Sequence, residues 1–146
     1  MDVSPYAPAY VPGDEDLRSI VRDAKTIAVV GLSSDPMRAS FGVAEELQQR
    51  GYRVIPVNPN EAEVLGEKAY PSLREVEGDV DLVDVFRRPE HTPAVAEDAV
   101  AIGAKALWLQ QGIVNDDARR IAEDGGLKVV MGICIRDALA LLDAED

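Results

Sequence analysis

The chain has 146 residues, a length that fits one domain able to bury most of its apolar surface. Fifteen basic residues against 27 acidic ones give a formal charge of −12, which opposes generic binding to nucleic acid or to an anionic membrane. No stretch approaches the ~20 apolar residues of a bilayer-spanning helix. Residues 1–12 lack the basic-then-apolar order of a secretory signal, and one cysteine, Cys134, cannot build a disulfide framework or a cysteine-only metal site. The expectation is a cytoplasmic protein.

Hydrophobic residues make up 47% of the chain but aromatics only 5%, so the apolar content is largely Val, Ile, Leu and Ala. That mixture suits buried parallel strands covered by helices. The basic residues are 11 Arg and only four Lys. An acid-rich, lysine-poor composition resembles that of proteins adapted to high salt, where screening removes most self-repulsion; an ordinary acidic mesophile protein is the alternative reading.

In chain order, Pro5, Pro8 and Pro12 mark an extended arm. Asp14 is expected to cap a short helix with Leu17, Ile20 and Val21 on its apolar face. Residues 26–30 form an apolar strand ending at Gly31, and Ser40 is expected to cap a helix that Gly51 stops. Residues 53–57 are the next strand, in which Pro56 cannot donate a ladder bond. A loop rich in Asn, Pro and Gly follows, with a short helix from Ser72. Residues 80–86 form a third strand, and Thr92 is expected to cap a helix stopped by Gly103. Residues 106–109 form a fourth strand, Asn115 caps a further helix, residues 127–131 form a fifth strand, and residues 136–142 close the chain as a helix.

Short strands alternating with longer helices demand right-handed crossovers and a parallel sheet. The expected fold is therefore α/β, a Rossmann-like doubly wound five-stranded parallel sheet in a single domain, with strand order 3-2-1-4-5. Residues 1–23 read as an N-terminal arm and short helix, and residues 24–146 as the sheet domain.

In such a sheet ligands bind beyond the carboxyl ends of the strands, where the order reverses. The loop Gly31-Leu32-Ser33-Ser34-Asp35-Pro36-Met37-Arg38-Ala39-Ser40-Phe41-Gly42 follows a strand and opens a helix. Unpaired N–H groups and the positive dipole end of a helix start attract phosphate. Gly31 permits a sharp turn, Ser33, Ser34 and Ser40 offer hydroxyls, Gly42 permits close approach, and Arg38 offers a planar fork of donors. Phe86-Arg87-Arg88 at the third strand tip can stack on a purine or neutralise phosphate. Gln110-Gln111-Gly112 at the fourth can hydrogen-bond an amide-bearing ligand arm or simply start a turn.

Other ligand classes lose ground on the same residues. There is no G-x-G-x-x-G, no P-loop, and no acid at the end of the second strand, which reads Val57-Asn58-Pro59-Asn60. His91, the sole histidine, sits at a helix entry, where a surface role outweighs catalysis. Cys134 lies near a helix start, where a thiolate would be stabilised, although a buried inert cysteine is the plainer reading. No catalytic triad or metal-ligand spacing can be assembled.

The segments Ile27-Ala28-Val29-Val30-Gly31-Leu32-Ser33 with Pro36, Arg38 and Ser40, and Gly51-Tyr52-Arg53-Val54-Ile55-Pro56-Val57-Asn58-Pro59, resemble the stand-alone CoA-binding domain proteins. These are similar to the N-terminal CoA-binding domain of the succinyl-CoA synthetase α subunit. Val64-Leu65-Gly66, Tyr70-Pro71-Ser72-Leu73, Val80-Asp81-Leu82-Val83-Asp84-Val85-Phe86-Arg87 and Ala104-Lys105-Ala106-Leu107-Trp108-Leu109-Gln110 extend the resemblance over residues 25–131. It implies CoA or an acyl-CoA as ligand, with the diphosphate over residues 31–40 and Pro59, Phe86 and Arg87 around the nucleotide. The resulting ligand set is Gly31, Ser33, Pro36, Arg38, Ser40, Phe41, Asn58, Pro59, Phe86, Arg87, Gln110 and Gly112.

Two segments depart from the family pattern. Asn60 stands where relatives often have Lys, and Met131-Gly132-Ile133-Cys134 replaces a Met-Asp-x-Cys segment followed by Glu. The synthetase's phosphohistidine lies in a domain outside this resemblance, so His91 does not inherit it. The expected role is a CoA-binding module without catalysis, partnered by the small molecule and by neither nucleic acid nor membrane; a homodimer or a protein partner stays open. The alternatives are a small CoA-thiol or acyl-CoA enzyme using Cys134 and an NAD(P)-binding regulator.

Overall fold

The computed structural model describes residues 8–145; the part of the expected arm that includes Pro5 lies outside the described residues. Five parallel strands form the sheet: β1 (Thr26–Val30), β2 (Arg53–Val57), β5 (Leu82–Val85), β6 (Ala106–Leu109) and β7 (Lys128–Met131). Between β2 and β5 the chain forms a two-stranded antiparallel hairpin, β3 (Glu63–Val64) and β4 (Glu67–Lys68), then a 3-10 turn at Leu73–Glu75. The sequence of this segment predicts only a loop. Its turn places both Leu65 (φ 53) and Gly66 (φ 79) in left-handed backbone, the pairing that a two-residue hairpin turn requires.

Helices cover both faces of the sheet, as a doubly wound fold requires. α1 (Asp14–Asp23), α2 (Ala39–Gln49) and α5 (Ile135–Asp143) pack on one face, around Ile27, Val29, Val54, Leu82, Trp108 and Val130. α3 (Thr92–Ala101) and α4 (Asp116–Asp124) pack on the other, around Ala28, Val30, Ile55, Val83, Leu107 and Val129. Successive strand residues alternate between the two cores because their side chains alternate across the pleat. Both faces being covered, the buried positions of these strands are apolar, with Asp84 of β5 the exception.

The strand order is β2-β1-β5-β6-β7, which is 2-1-3-4-5 among the sheet's main strands and corrects the expected 3-2-1-4-5. Tyr70 N–H donates to Pro56 O at 3.0 Å, and Asn58 N–H to Tyr70 O at 2.9 Å, on the side of β2 away from β1. Pro56 therefore turns its missing donor outward, which suits an edge strand and no further neighbour. The chain crosses back past β1, and the order reverses between β1 and β5.

Three expected caps are corrected. α1 has Gly13 as its N-cap with no side-chain bond; Asp14 is its first helical residue, joined in the first turn by Glu15 and Asp16, which favour the positive helix end. α2 begins at Ala39 behind Arg38, again without a side-chain cap, because Ser40 is turned back to the loop. α3 begins at Thr92 itself, whose hydroxyl donates to Pro89 O at 2.7 Å across the 3-10 turn Pro89–His91. Asn115 does cap α4, accepting from Ala118 N–H at 2.9 Å.

On the far edge, Tyr10 N–H donates to Met131 O and Met131 N–H to Tyr10 O, both at 2.9 Å. No helix among the described residues is long and apolar enough to cross a membrane.

Candidate functional site

The reversal of strand order opens a crevice between the carboxyl ends of β1 and β5. Gly31 ends β1 with φ +88, and a β-carbon there would lie 2.4 Å from the Phe86 carbonyl oxygen and 3.2 Å from Arg87 Cδ. Only glycine fits: the backbone is left-handed and the neighbouring strand tip is too near for a side chain. Gly31 N–H donates to Val57 O, and Phe86 N–H to Val30 O, each at 2.8 Å. These bonds tie the tips of β1, β2 and β5 together.

The loop after Gly31 is shaped by its own polar groups. Ser33 N–H donates to Ser40 Oγ at 3.1 Å, Asp35 N–H to Ser33 Oγ at 3.0 Å, and Met37 N–H to Asp35 Oδ1 at 2.9 Å. Asn58 Nδ2 donates to Leu32 O at 3.0 Å, while Asn58 Oδ1 accepts from Asn60 N–H at 2.9 Å. Asn58 thus fixes the spacing of two loops. The first-turn amides of α2 meet no capping side chain, and Arg38, Ala39 and Ser40 at that helix start line an open cavity of about 470 Å³. An uncapped helix start on a cavity is a ready anion site.

Six of the twelve expected ligand residues line this cavity: Gly31, Ser33, Arg38, Ser40, Asn58 and Phe86. Pro59 and Arg87 line a second cavity of about 280 Å³, together with Val30, Val57 and His91. Pro36 is exposed on the loop, and Phe41 packs against the α2 core. Gly112 stands in left-handed backbone beyond β6 (φ +80) with open space around it. Gly42 faces the neighbouring helix, where an added β-carbon would meet Arg136 Nη2 at 3.2 Å.

Gln110 is buried, and its Nε2 donates to Asp84 Oδ1. Asp84 is fully buried on β5 beneath Phe86, and its Oδ2 has no partner. Loss of solvation pushes the Asp84 carboxyl up to about 7, while the Gln110 bond pulls the other way. Cys134 is half-buried just before α5; burial pushes its thiol up, the Arg136 backbone N–H at the helix start pulls the other way, and the Asp84 charge adds to the rise. The thiol is thereby held in its protonated, less nucleophilic form at neutral pH.

Sequence reasoning missed two residues of this region. Glu61, which lines the 470 Å³ cavity and accepts from Ser34 N–H at 2.7 Å, lies in a segment that gives no periodic signal. Asp84 sits in an apolar run, and that position alone signals a buried acid in a strand covered on both faces. Among the described residues no group of three or more His, Cys, Asp or Glu side chains could hold a metal ion.

The family model described as CoA binding domain matches residues 25–138. The uncharacterized protein YneT of Bacillus subtilis is 44% identical over 130 residues, covering 89% of this chain and 96% of its own. A hypothetical protein from Pyrococcus horikoshii OT3 superposes with a TM-score of 0.88 at 38% identity, covering 97% of this chain and 99% of that one. The α subunit of the ADP-forming acetate–CoA ligase II of Pyrococcus furiosus is 47% identical over 57 residues, 38% of this chain but only 12% of the subunit. With a matching model over most of its length and a near full-length relative at 44% identity, the chain belongs to the CoA-binding domain family.

Proposed function

We propose that this protein binds CoA or an acyl-CoA, with the ligand's diphosphate over the loop at residues 31–40 and its nucleotide portion held by Pro59, Phe86 and Arg87. The observation that carries the reading is the uncapped start of α2, which lines an open cavity with Arg38 exposed above it. Backbone donors, the positive helix end and a guanidinium converge there, and phosphate is the ligand chemistry that uses all three. Family membership gives the ligand class.

The role proposed is binding without a covalent step. Cys134, the nucleophile an acyl-transfer reading would need, has its thiol pushed up by burial and by Asp84, which opposes thiolate chemistry. Asp84 itself is sealed from solvent.

Thermal denaturation at matched concentrations of CoA, acetyl-CoA, NAD and ATP, in low and high salt, tests the reading. A ligand of the native state at 100 times its Kd stabilises by about 2.7 kcal/mol. CoA or acetyl-CoA is expected to stabilise more than NAD or ATP. The absence of any shift with CoA at every salt concentration would overturn it.

A further inference from the structure

Most of the loop's amide groups are satisfied from within its own strand–loop–helix unit, by Ser40 Oγ, Ser33 Oγ and Asp35 Oδ1. Ser34 is different. Its N–H donates to Oε2 of Glu61, 27 residues away in sequence, at 2.7 Å, the length of a charge-assisted bond. Glu61 also lines the 470 Å³ cavity beside Arg38, Ala39 and Ser40. A carboxylate side chain therefore stands at the wall of the concavity whose donors and helix end suit a phosphate.

We propose that Glu61 is a built-in competitor for the ligand: its carboxylate holds the Ser34 amide, and a phosphate ester displaces it on binding. The inference rests on the reading of this cradle as the phosphate site. An ionised carboxylate only accepts hydrogen bonds, so it can offer a phosphate oxygen nothing but repulsion if it stays. Nothing on its own loop compensates: the neighbouring residue is Asn60, neutral, whose backbone N–H is spent on Asn58. Asp35, the other acid of the loop, is engaged by Met37 N–H and lies 4.0 Å from the Arg38 guanidinium, so its charge is partly offset. The Glu61 carboxylate holds the loop in one shape, and the ligand enters by exchanging one anion for another.

Calorimetric titration of the wild type, Glu61→Gln and Glu61→Ala with CoA, ADP and inorganic pyrophosphate at one fixed salt concentration tests this. Glu61→Gln keeps an acceptor for Ser34 and removes only the charge, so it decides the question; Glu61→Ala also frees the amide. Removing a like charge a few ångströms from the phosphates is expected to tighten ADP and pyrophosphate by about tenfold in Glu61→Gln. A gain below threefold, or a loss, in that variant overturns the proposal. The Ser34 amide resonance of the wild type gives a second readout that needs no variant. It is expected to move as pyrophosphate replaces the carboxylate, and an unmoved resonance at saturation also overturns the proposal. If the wild type ignores CoA while Glu61→Gln gains pyrophosphate affinity, the CoA reading falls and the competition stands.

Discussion

Gly31 and Phe86 meet so closely that a single methyl group on Gly31 would stand 2.4 Å from the Phe86 carbonyl oxygen. The contact joins the two strand tips between which the sheet reverses its order. It sets the width of the crevice on which the cradle opens.

Gly31→Ala is accordingly expected to cost about 2–4 kcal/mol, from the left-handed backbone and the clash with a main-chain atom together. Urea unfolding measures the loss. The surviving folded protein should also bind CoA at least tenfold more weakly, because β1 and β5 must part to admit the methyl group.

Arg38 offers the opposite case. Its side chain is largely exposed, and its one ion pair, to Asp35 at 4.0 Å, is loose, so it holds little of the fold together. Arg38→Ala should leave the melting temperature within a degree or two while weakening CoA by about tenfold, the loss of one charge-assisted contact. Parallel melting and titration curves separate the two effects.

Buried Asp84 makes stability depend on pH. Its carboxyl titrates at about 7 in the folded protein and near 4 in an unfolded chain. Below pH 4 both states are protonated and the fold incurs no penalty. As pH rises from 4 to 7 the unfolded chain releases its proton first, and Asp84 destabilises the fold by an amount on the order of 4 kcal/mol. Asp84→Asn is therefore expected to be more stable than the wild type at pH 8 and to lose that advantage by pH 4. Unfolding curves of the two proteins at several pH values measure the difference; a constant offset would contradict the assignment.

Cys134 should behave as a shielded thiol. Burial and the Asp84 charge hold its proton, so alkylation by iodoacetamide is expected to be slow at pH 7 and to accelerate only above the pH near 8.5 where a free cysteine ionises. Cys134→Ser should bind CoA within threefold of the wild type.

Much of this molecule was legible in its sequence, and the exceptions have physical causes. The alternation of apolar runs with helical stretches gave the layers, and Asn115 was a true cap because its side chain reaches Ala118 N–H. The strand order misled, although Pro56 carried the information: a residue without a donor belongs on an outer strand, and its N faces away from β1 in the structure. Ser40 read as a cap from its place before an apolar run, yet its hydroxyl turns to Ser33 N–H instead, a choice that only the folded loop reveals. Gln110 read as a ligand residue because it follows a strand; its partner Asp84 comes from the adjacent strand. Glu61 was invisible because its bond to Ser34 spans 27 positions.

The two outermost strands end in a related way. Tyr70 occupies the outward-facing groups of Pro56 and Asn58, and Tyr10 occupies those of Met131. At the carboxyl ends of the strands, each flank of the sheet is already sealed by a tyrosine from its own chain. A neighbouring chain cannot lay a strand alongside those ends without evicting a tyrosine. Any protein that docks at this end of the sheet must recognise side chains on helices and loops, and so can be excluded or admitted by surface substitutions that leave the sheet untouched.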